Sequence, residues 1–511
     1  MTARADADRI AESLSPARRY MILATVVLGA SLYSTALLTT STILPQMQGA
    51  MSATQDEIAW AMTFNILATA IVTPMTGWLT ARFGARNVML WGMVAFTVAT
   101  AMCGLCNSLE TLVVWRIVQG AVGAPIVPLS QTIALDTFPR RQHGMVLSIY
   151  GMAVGVAPVV GPTLGGYLAE IYDWRWTFFM MVPVGIVSVL AVHFVLIADK
   201  LAGKRQLDWT GFLALSVAMG AVQLVLARGV RLDWLESTEI IVEIVLAVIA
   251  FYVFVAHCLT AKTPFLDLRL LKDRNYSIGL ILVTLYGMLN FTPMVLLPPL
   301  LQQHAGFPDA LVGLVIGMRG AGMTVGFLVA GFMSRIDPRI GMIVGFTLQA
   351  ASGLSMLTFD LNVDMSLLVA NSMLQGFAVG IIWVPLSVVT FDTLPQSARA
   401  EAASVLHLLR NIGSSFFISL SIAEIVRATG ANYSRMTEMV TPYNPALSLP
   451  AITGAWDFET AAGLAKVARE INRQATMIGY LNAFVMYTAA SVAAIALVLV
   501  VRKRQPPLPA A

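Results

Sequence analysis

Long, mostly apolar stretches recur along nearly the whole of this chain, and that recurrence limits its fold more than any other feature. Each stretch reaches about 18 residues or more, enough to cross the ~30 Å hydrocarbon layer of a bilayer as a helix. In hydrocarbon every backbone N–H and C=O must be satisfied internally, which leaves helices or closed barrels. Continuous apolar runs without two-residue alternation predict helices. Only 12% of the 511 residues are charged, about half the share of a soluble domain. The expected fold class is therefore an all-α polytopic membrane protein.

Fourteen spans are expected, near 20–44, 57–79, 87–106, 111–134, 144–168, 175–197, 210–228, 239–259, 276–302, 309–334, 339–359, 365–391, 401–426 and 477–501. Lysines and arginines sort by side. One set of connecting segments holds Arg4, Arg9, Arg18, Arg19, Arg82, Arg86, Arg140, Arg141, Lys200, Lys204 and Arg205. The same side continues with Lys262, Arg269, Lys272, Arg274, Arg335, Arg339, Arg399, Arg502, Lys503 and Arg504. The short loops of the other side carry Arg175, Arg228 and Arg231. The positive-inside rule then puts both termini in the cytoplasm, which requires an even number of spans. The polar, basic segment before the first span leads into a long apolar run without a cleavage site, so a retained helix is expected, not a signal peptide. The net charge of +4 follows from this bias and points to no nucleic-acid partner. Cys103 and Cys106 form a C-x-x-C. With no second ligand pair they read as small buried residues, not as a metal or redox site.

The chain repeats itself. "VQGAVGAPIVPLSQTIALDTFP" at 118–139 resembles "LQGFAVGIIWVPLSVVTFDTLP" at 374–395. Gln119, Gly120, Asp136, Thr137 and Pro139 match Gln375, Gly376, Asp392, Thr393 and Pro395. On the span count this pairs span 4 with span 12, an offset of eight. Two six-helix halves with a two-helix insert give that offset. The expected layout is a cytoplasmic segment 1–19, an N-terminal half 20–200, an insert 201–262, a C-terminal half 263–501 and a cytoplasmic tail 502–511. Residues 427–476 form an extracytoplasmic loop inside the last half, long enough to serve as a contact surface for a partner or to be a tolerated insertion. Repeats of this kind mark secondary transporters, whose substrate site lies at mid-membrane between the halves.

Two motifs carry more. In "GWLTARFGARNV" at 77–88, Gly77 and Gly84 permit a tight turn while Arg82 and Arg86 hold helix ends and the anionic leaflet. In "GVAPVVGPTLGG" at 155–166, Gly155, Gly161, Gly165 and Gly166 allow close helix approach, and Pro158 and Pro162 free carbonyls for bending.

These motifs, with "RIVQG" at 116–120, "LARGVRLDW" at 226–234 and "PFLDLRLLKDRNY" at 264–276, resemble the major facilitator superfamily, and within it the fourteen-span drug:proton antiporters of EmrB/QacA type. The resemblance implies the major facilitator fold, export by alternating access, and a periplasmic membrane-fusion adaptor with an outer-membrane channel as partners. It gives Arg116 the role of that family's helix-4 arginine, implicated in proton coupling. It also exposes departures. Family members carry acids where this chain has Ala36, Ala81 and Asn482.

The ionisable groups expected at depth are Arg116, Arg319, Arg410, His407 and, nearer the outer end, Glu424, with Glu243 in the insert. Intramembrane ionisable residues are functional-site candidates. Buried arginines stay protonated, so three of them among few acids predict an electropositive cavity suited to anionic amphipaths. A bland alternative has Arg116 snorkelling outward, being only a few residues from its helix end. No nucleotide-binding loop, metal cluster or nucleophile–base pair stands out, so no enzyme activity, cofactor or metal is expected. The function expected is proton-coupled efflux of amphipathic toxic compounds from a bacterial inner membrane. The alternatives are export of fatty-acid-like anions without a dedicated proton site, and a non-transporting sensor or scaffold of the same fold.

Overall fold

The fold was analysed in a computed structural model that describes residues 15–53, 55–197, 207–261, 264–333, 337–394, 398–441, 443–448, 456 and 460–501. The expected terminal segments up to residue 14 and from 502 lie outside the described residues. So do Lys200, Lys204, Arg205, Lys262, Arg335 and Pro395, and the side chains of Arg140, Pro158 and Pro162.

Every expected span falls on helix. The N-terminal half comprises α1 (Pro16–Thr42), the short α2 (Leu44–Ala50), α3 (Gln55–Val72), α4 (Thr76–Phe83) and α5 (Ala85–Leu105). It continues with α6 (Leu109–Gly123), α7 (Ile126–Thr137), α8 (His143–Ile171), α9 (Trp176–Phe179) and α10 (Met181–Val195). The insert is α11 (Trp209–Arg228) and α12 (Thr238–Thr260). The C-terminal half is α13 (Arg274–Pro299), α14 (Asp309–Met333), α15 (Pro338–Met356), α16 (Met365–Asp392), α17 (Arg399–Thr437) and α18 (Ala461–Val500). Among the described residues, twelve helical stretches, counting α3–α4, α6–α7 and α9–α10 as one each, are long and apolar enough to cross a membrane. The other two expected crossings coincide with α8 and with α15, whose face towards its neighbours carries the buried polar residues Gln349 and Ser352.

Proline and aspartate set many of the boundaries. Pro74 sits in the 3₁₀ turn that breaks α3 from α4, and Pro125 precedes α7. A proline removes a backbone donor and clashes with the preceding turn, so span 2 and span 4 each form in two pieces. Asp208, Asp273, Asp337 and Asp364 each cap a helix by accepting a backbone N–H in its first turn, a contact worth about 1 kcal/mol. Asp208 also accepts from His257 at 2.8 Å and from the Phe265 N–H at 2.9 Å, which ties both insert helices to the chain that leaves them.

The segment 427–476 is less of a loop than hydropathy suggests. α17 continues to Thr437 and α18 already begins at Ala461.

α1 begins and α18 ends on one face, here called the terminal face. Arg274 of α13 donates to the Val500 carbonyl at 3.0 Å, and Arg86 of α5 to the His193 carbonyl at 2.7 Å, so these helix ends share it. Each half has its own apolar core, one around Phe96, Met93 and Tyr150, the other around Phe346, Phe327 and Trp383. Within the halves α1 packs on α8, α3 on α6, α13 on α17 and α14 on α16. Between the halves α8 packs on α14 and α16, while α4 and α7 pack on α17. The insert helix α11 lies against α3 and α17, one from each half, so it flanks a seam between them.

The halves are related helix by helix. Leu109 and Met365, which open α6 and α16, are 256 residues apart, as are His143 and Arg399, which open α8 and α17. Gln131 and Ser387 are also 256 apart, and their side chains meet at 3.5 Å. A residue that touches its own counterpart must lie on the axis relating the two copies. The pseudo-twofold therefore passes between Gln131 of α7 and Ser387 of α16.

Buried cations between two halves

Arg116 answers the first question the sequence poses. It is 1% exposed, so it does not snorkel. Its Nε donates to the Ala61 carbonyl of α3 at 3.1 Å, and its Nη1 donates to Gln119 Oε1. Gln119 in turn donates to Thr100 at 2.7 Å, and Asn65 of α3 donates to the Arg116 carbonyl at 2.7 Å. The hydrogen bonds of this guanidinium thus go to neutral oxygens of its own half. A guanidinium keeps its charge, and hydrogen bonds to charged groups contribute roughly 1.5–3 kcal/mol each. Gly120 makes the exchange possible. A Cβ there would overlap the Asn65 carbonyl oxygen.

The second half repeats this geometry with different side chains. A Cβ on Gly376, the counterpart of Gly120, would overlap the carbonyl oxygen of Arg319 in α14. Arg319 is 2% exposed, and its Nη2 donates to the Asn290 carbonyl at 2.5 Å and to Asn290 Oδ1 at 3.1 Å. Gln375 donates to Asn371 at 2.7 Å.

Arg410 differs from both. It is half-buried in α17. Its guanidinium lies 5.6 Å from the Trp383 ring centre and 5.9 Å from that of Phe291. Its hydrogen-bonding contacts are to Asn411 Oδ1 at 3.3 and 3.4 Å. His407, one turn earlier, is 2% exposed and bridges the halves, with Nε2 2.6 Å from Gln131 Oε1 of α7. Its ring also leans on Trp383 at 5.9 Å. His407 therefore sits beside the axis, in contact with both halves.

Nearer the terminal face an ion pair crosses the same seam. Arg399 Nη1 lies 2.6 Å from Asp136 Oδ1. Its symmetry counterparts, His143 and Asp392, line a small cavity there together with Leu135, Leu147 and Phe391. Glu401, two residues into α17, receives the Asp267 N–H at 2.6 Å.

The remaining sequence candidates are placed as follows. Glu424 accepts from Arg427 at 2.7 Å and from Asn482 of α18 at 3.1 Å, so an acid does stand beside the neutral position 482. Ala36 is buried in the N-terminal core. Glu243 lies in the insert, 3.6 Å from Arg228 and away from the axis. In the span-5 motif, Gly161 and Gly165 face Thr35 and Thr39 of α1, whereas Gly155 faces Met323 and Phe327 of α14 across the seam. Gly166 meets nothing within 4 Å and so needs no close approach. In the loop motif, Gly84 takes φ +82°, a conformation suited to glycine, between α4 and α5. Arg82 closes the last turn of α4. Gly77 lies inside α4 and not in the expected tight turn; a Cβ there would come within 3.1 Å of Glu401, so this motif also borders the other half.

Sequence reasoning missed Asn65, Asn290, Gln131, Trp383 and Arg399 as members of the site. It also missed a glycine zipper. A Cβ on Gly322 or Gly326 would overlap the Met373 or Phe377 carbonyl, and one on Gly380 would lie 2.6 Å from Phe327 N. The two G-x-x-x-G spacings, 322–326 and 376–380, were legible as close-packing signals.

This arrangement of two related helical halves with charged groups buried at their seam is that of a major facilitator transporter. The sequence profile of the Major Facilitator Superfamily matches residues 26–418, and the chain belongs to that superfamily. Within it the chain is of EmrB type. It is 33% identical to the multidrug export protein EmrB of Escherichia coli K12 over 405 residues, 79% of each chain. It is 30% identical to the fatty acid resistance protein FarB of Neisseria gonorrhoeae over 491 residues, 94% of this chain and 96% of that one. Among solved structures, the proton:xylose symporter XylE aligns with a TM-score of 0.60 at 12% identity, covering 96% of this chain and 97% of its own. The human organic anion transporter MFSD10 aligns with a TM-score of 0.60 at 13% identity, covering 95% of this chain and 100% of its own. These two similarities concern the fold alone.

Proposed function

We propose that the chain is a proton-coupled exporter of amphipathic toxic compounds in a bacterial inner membrane, with anionic amphipaths as preferred substrates. The observation that carries this reading is the set of three deep arginines, Arg116, Arg319 and Arg410, whose hydrogen bonds go to neutral oxygens. A site of that charge attracts anions and repels cations. The printed names of the relatives, a multidrug exporter and a fatty acid resistance protein, agree with it.

The transport cycle is alternating access between the halves. The seam contacts His407–Gln131 and Arg399–Asp136 hold the terminal face together in this state and must break in the other. We assign that face, and both termini, to the cytoplasm, a reading that the basic loops support. Proton traffic falls to Glu424 and His407, because the positions of Ala36, Ala81 and Asn482 hold no acid. The helical extensions of α17 and α18 support a role for this end of the molecule as a periplasmic surface for an adaptor and, through it, an outer-membrane channel. A second reading, export of fatty-acid-like anions without a dedicated proton site, is favoured by the apolar packing of Ala36.

Expression in an efflux-deficient host tests the proposal. Cells carrying the chain are expected to accumulate several-fold less labelled laurate than control cells, and an uncoupler is expected to abolish the difference. Equal accumulation of laurate and of other amphipaths in both strains contradicts export.

A further inference from the structure

The three deep arginines are not equivalent, and we infer that Arg410 alone is the anchor for the anionic group of a substrate, with the neighbouring Phe291 ring receiving its apolar body. This inference rests on the export reading above and adds a residue and a chemistry to it.

Arginine offers five N–H donors in a planar fork. Arg116 and Arg319 each donate to a carbonyl oxygen of a neighbouring helix, Ala61 and Asn290, and are sealed at 1% and 2% exposure; Nε and Nη1 of Arg319 stay unpaired, but behind that seal. They fasten α3 to α6 and α13 to α14 within one half each. No ligand reaches them without separating those helices.

Arg410 is held in another way. Trp383 and Phe291 face its charge, a contact that stabilises the cation without consuming its N–H donors. Its contacts to Asn411, at 3.3 and 3.4 Å, lie beyond the usual 2.7–3.2 Å of an N–H···O bond. The fork is thus charged, half-buried and held only by two long contacts to one oxygen. It also sits centrally. Its helix α17 packs on α13 in its own half and on α4 and α7 in the other, and His407 one turn earlier touches Gln131 across the seam. Tyr286 packs on Trp383 at 5.2 Å, which extends the aromatic wall. The ligand this geometry takes is a single carboxylate or sulfonate carried on an apolar or aromatic body. The carboxylate binds the fork bidentately, and the body lies against the part-exposed Phe291, while the buried Trp383 backs the guanidinium.

The full chain in lipid nanodiscs, titrated with three probes that share one naphthalene body, tests this. The probes are a carboxylate, its carboxamide and the corresponding amine. The wild-type chain is expected to bind the carboxylate most tightly. Arg410→Gln is expected to weaken the carboxylate about tenfold or more and to leave the carboxamide within about twofold. Arg410→Lys preserves the charge among the rings, so it guards against misfolding of the Gln variant and is expected to retain a preference for the carboxylate. The inference is overturned if Arg410→Gln weakens carboxylate and carboxamide alike, if it weakens neither, or if the folded Lys variant loses the preference. A wild-type chain that binds the carboxamide and amine but not the carboxylate overturns the Arg410 assignment while leaving export standing. One that binds none of the three contradicts both.

Discussion

Replacing Gly376 with alanine is expected to abolish most of the folded transporter. Helix propensity alone argues the reverse, because alanine in a helix interior gains about 1 kcal/mol over glycine. Packing decides the sign. The added Cβ would overlap the Arg319 carbonyl oxygen and crowd the Met323 backbone nitrogen at 2.8 Å. Both are backbone atoms, so no side chain can swing aside and α14 must move off α16. Overpacking that flexible groups can absorb costs about 1–3 kcal/mol; a backbone overlap lies at or above the top of that range. Gly322, Gly326 and Gly380 lock the same pair of helices, so the displacement cannot stay local. Gly317, in the same α14, meets nothing within 4 Å and is the control. The monodisperse fraction on size-exclusion chromatography reads the effect, with Gly317→Ala expected near wild type. A Gly376→Ala chain of wild-type yield contradicts the zipper.

The second large effect is expected at the seam. Arg399→Gln removes one partner of an ion pair that joins the halves at 2.6 Å, Arg399 with Asp136. Removing one member of a buried pair costs roughly 3–5 kcal/mol. Asp136 is 27% exposed at its side chain, so solvent screening reduces this to about 1–3 kcal/mol. That energy is lost from the state closed at the terminal face and not from the state in which the halves have parted there. The population open at that face should rise about 5- to 150-fold. A cysteine in place of Ser387, which is 1% exposed on the axis, reports it through its rate of labelling. The native cysteines Cys103, Cys106 and Cys258 are all buried and contribute little background. Exchanging the charges, with Asp136→Arg and Arg399→Asp together, is expected to restore slow labelling. Unchanged labelling in Arg399→Gln shows that the pair does not hold the seam.

The spans were legible because a bilayer imposes a length and a composition on any helix that crosses it. Arg116 stood out for the same reason, as a charge where charge is expensive. Hydropathy, however, marks the membrane border and not the end of a helix. It therefore ended span 13 near 426 although α17 runs to Thr437, and it started span 14 near 477 although α18 begins at Ala461. The repeat was visible in Gln119 and Gln375, but its consequence was not. That Gln131 meets Ser387, or that Arg399 reaches Asp136, depends on how two halves dock, and no local pattern encodes docking. The sorting of the three arginines was hidden too. Sequence reading could count Arg116, Arg319 and Arg410 as like charges. Only the neighbours of each, a carbonyl oxygen or an aromatic face, separate the fasteners from the free fork.

Proton-coupled export is tested most directly in inverted membrane vesicles carrying the chain, with an imposed proton gradient followed by a pH-sensitive dye. A panel of lipophilic acids and cations is added in turn. The expected result is that acids collapse part of the gradient in vesicles with the wild-type chain, that cations do so weakly, and that Arg410→Gln removes the response to acids. A gradient untouched by either class, while labelled acid still moves into the same vesicles, contradicts proton coupling.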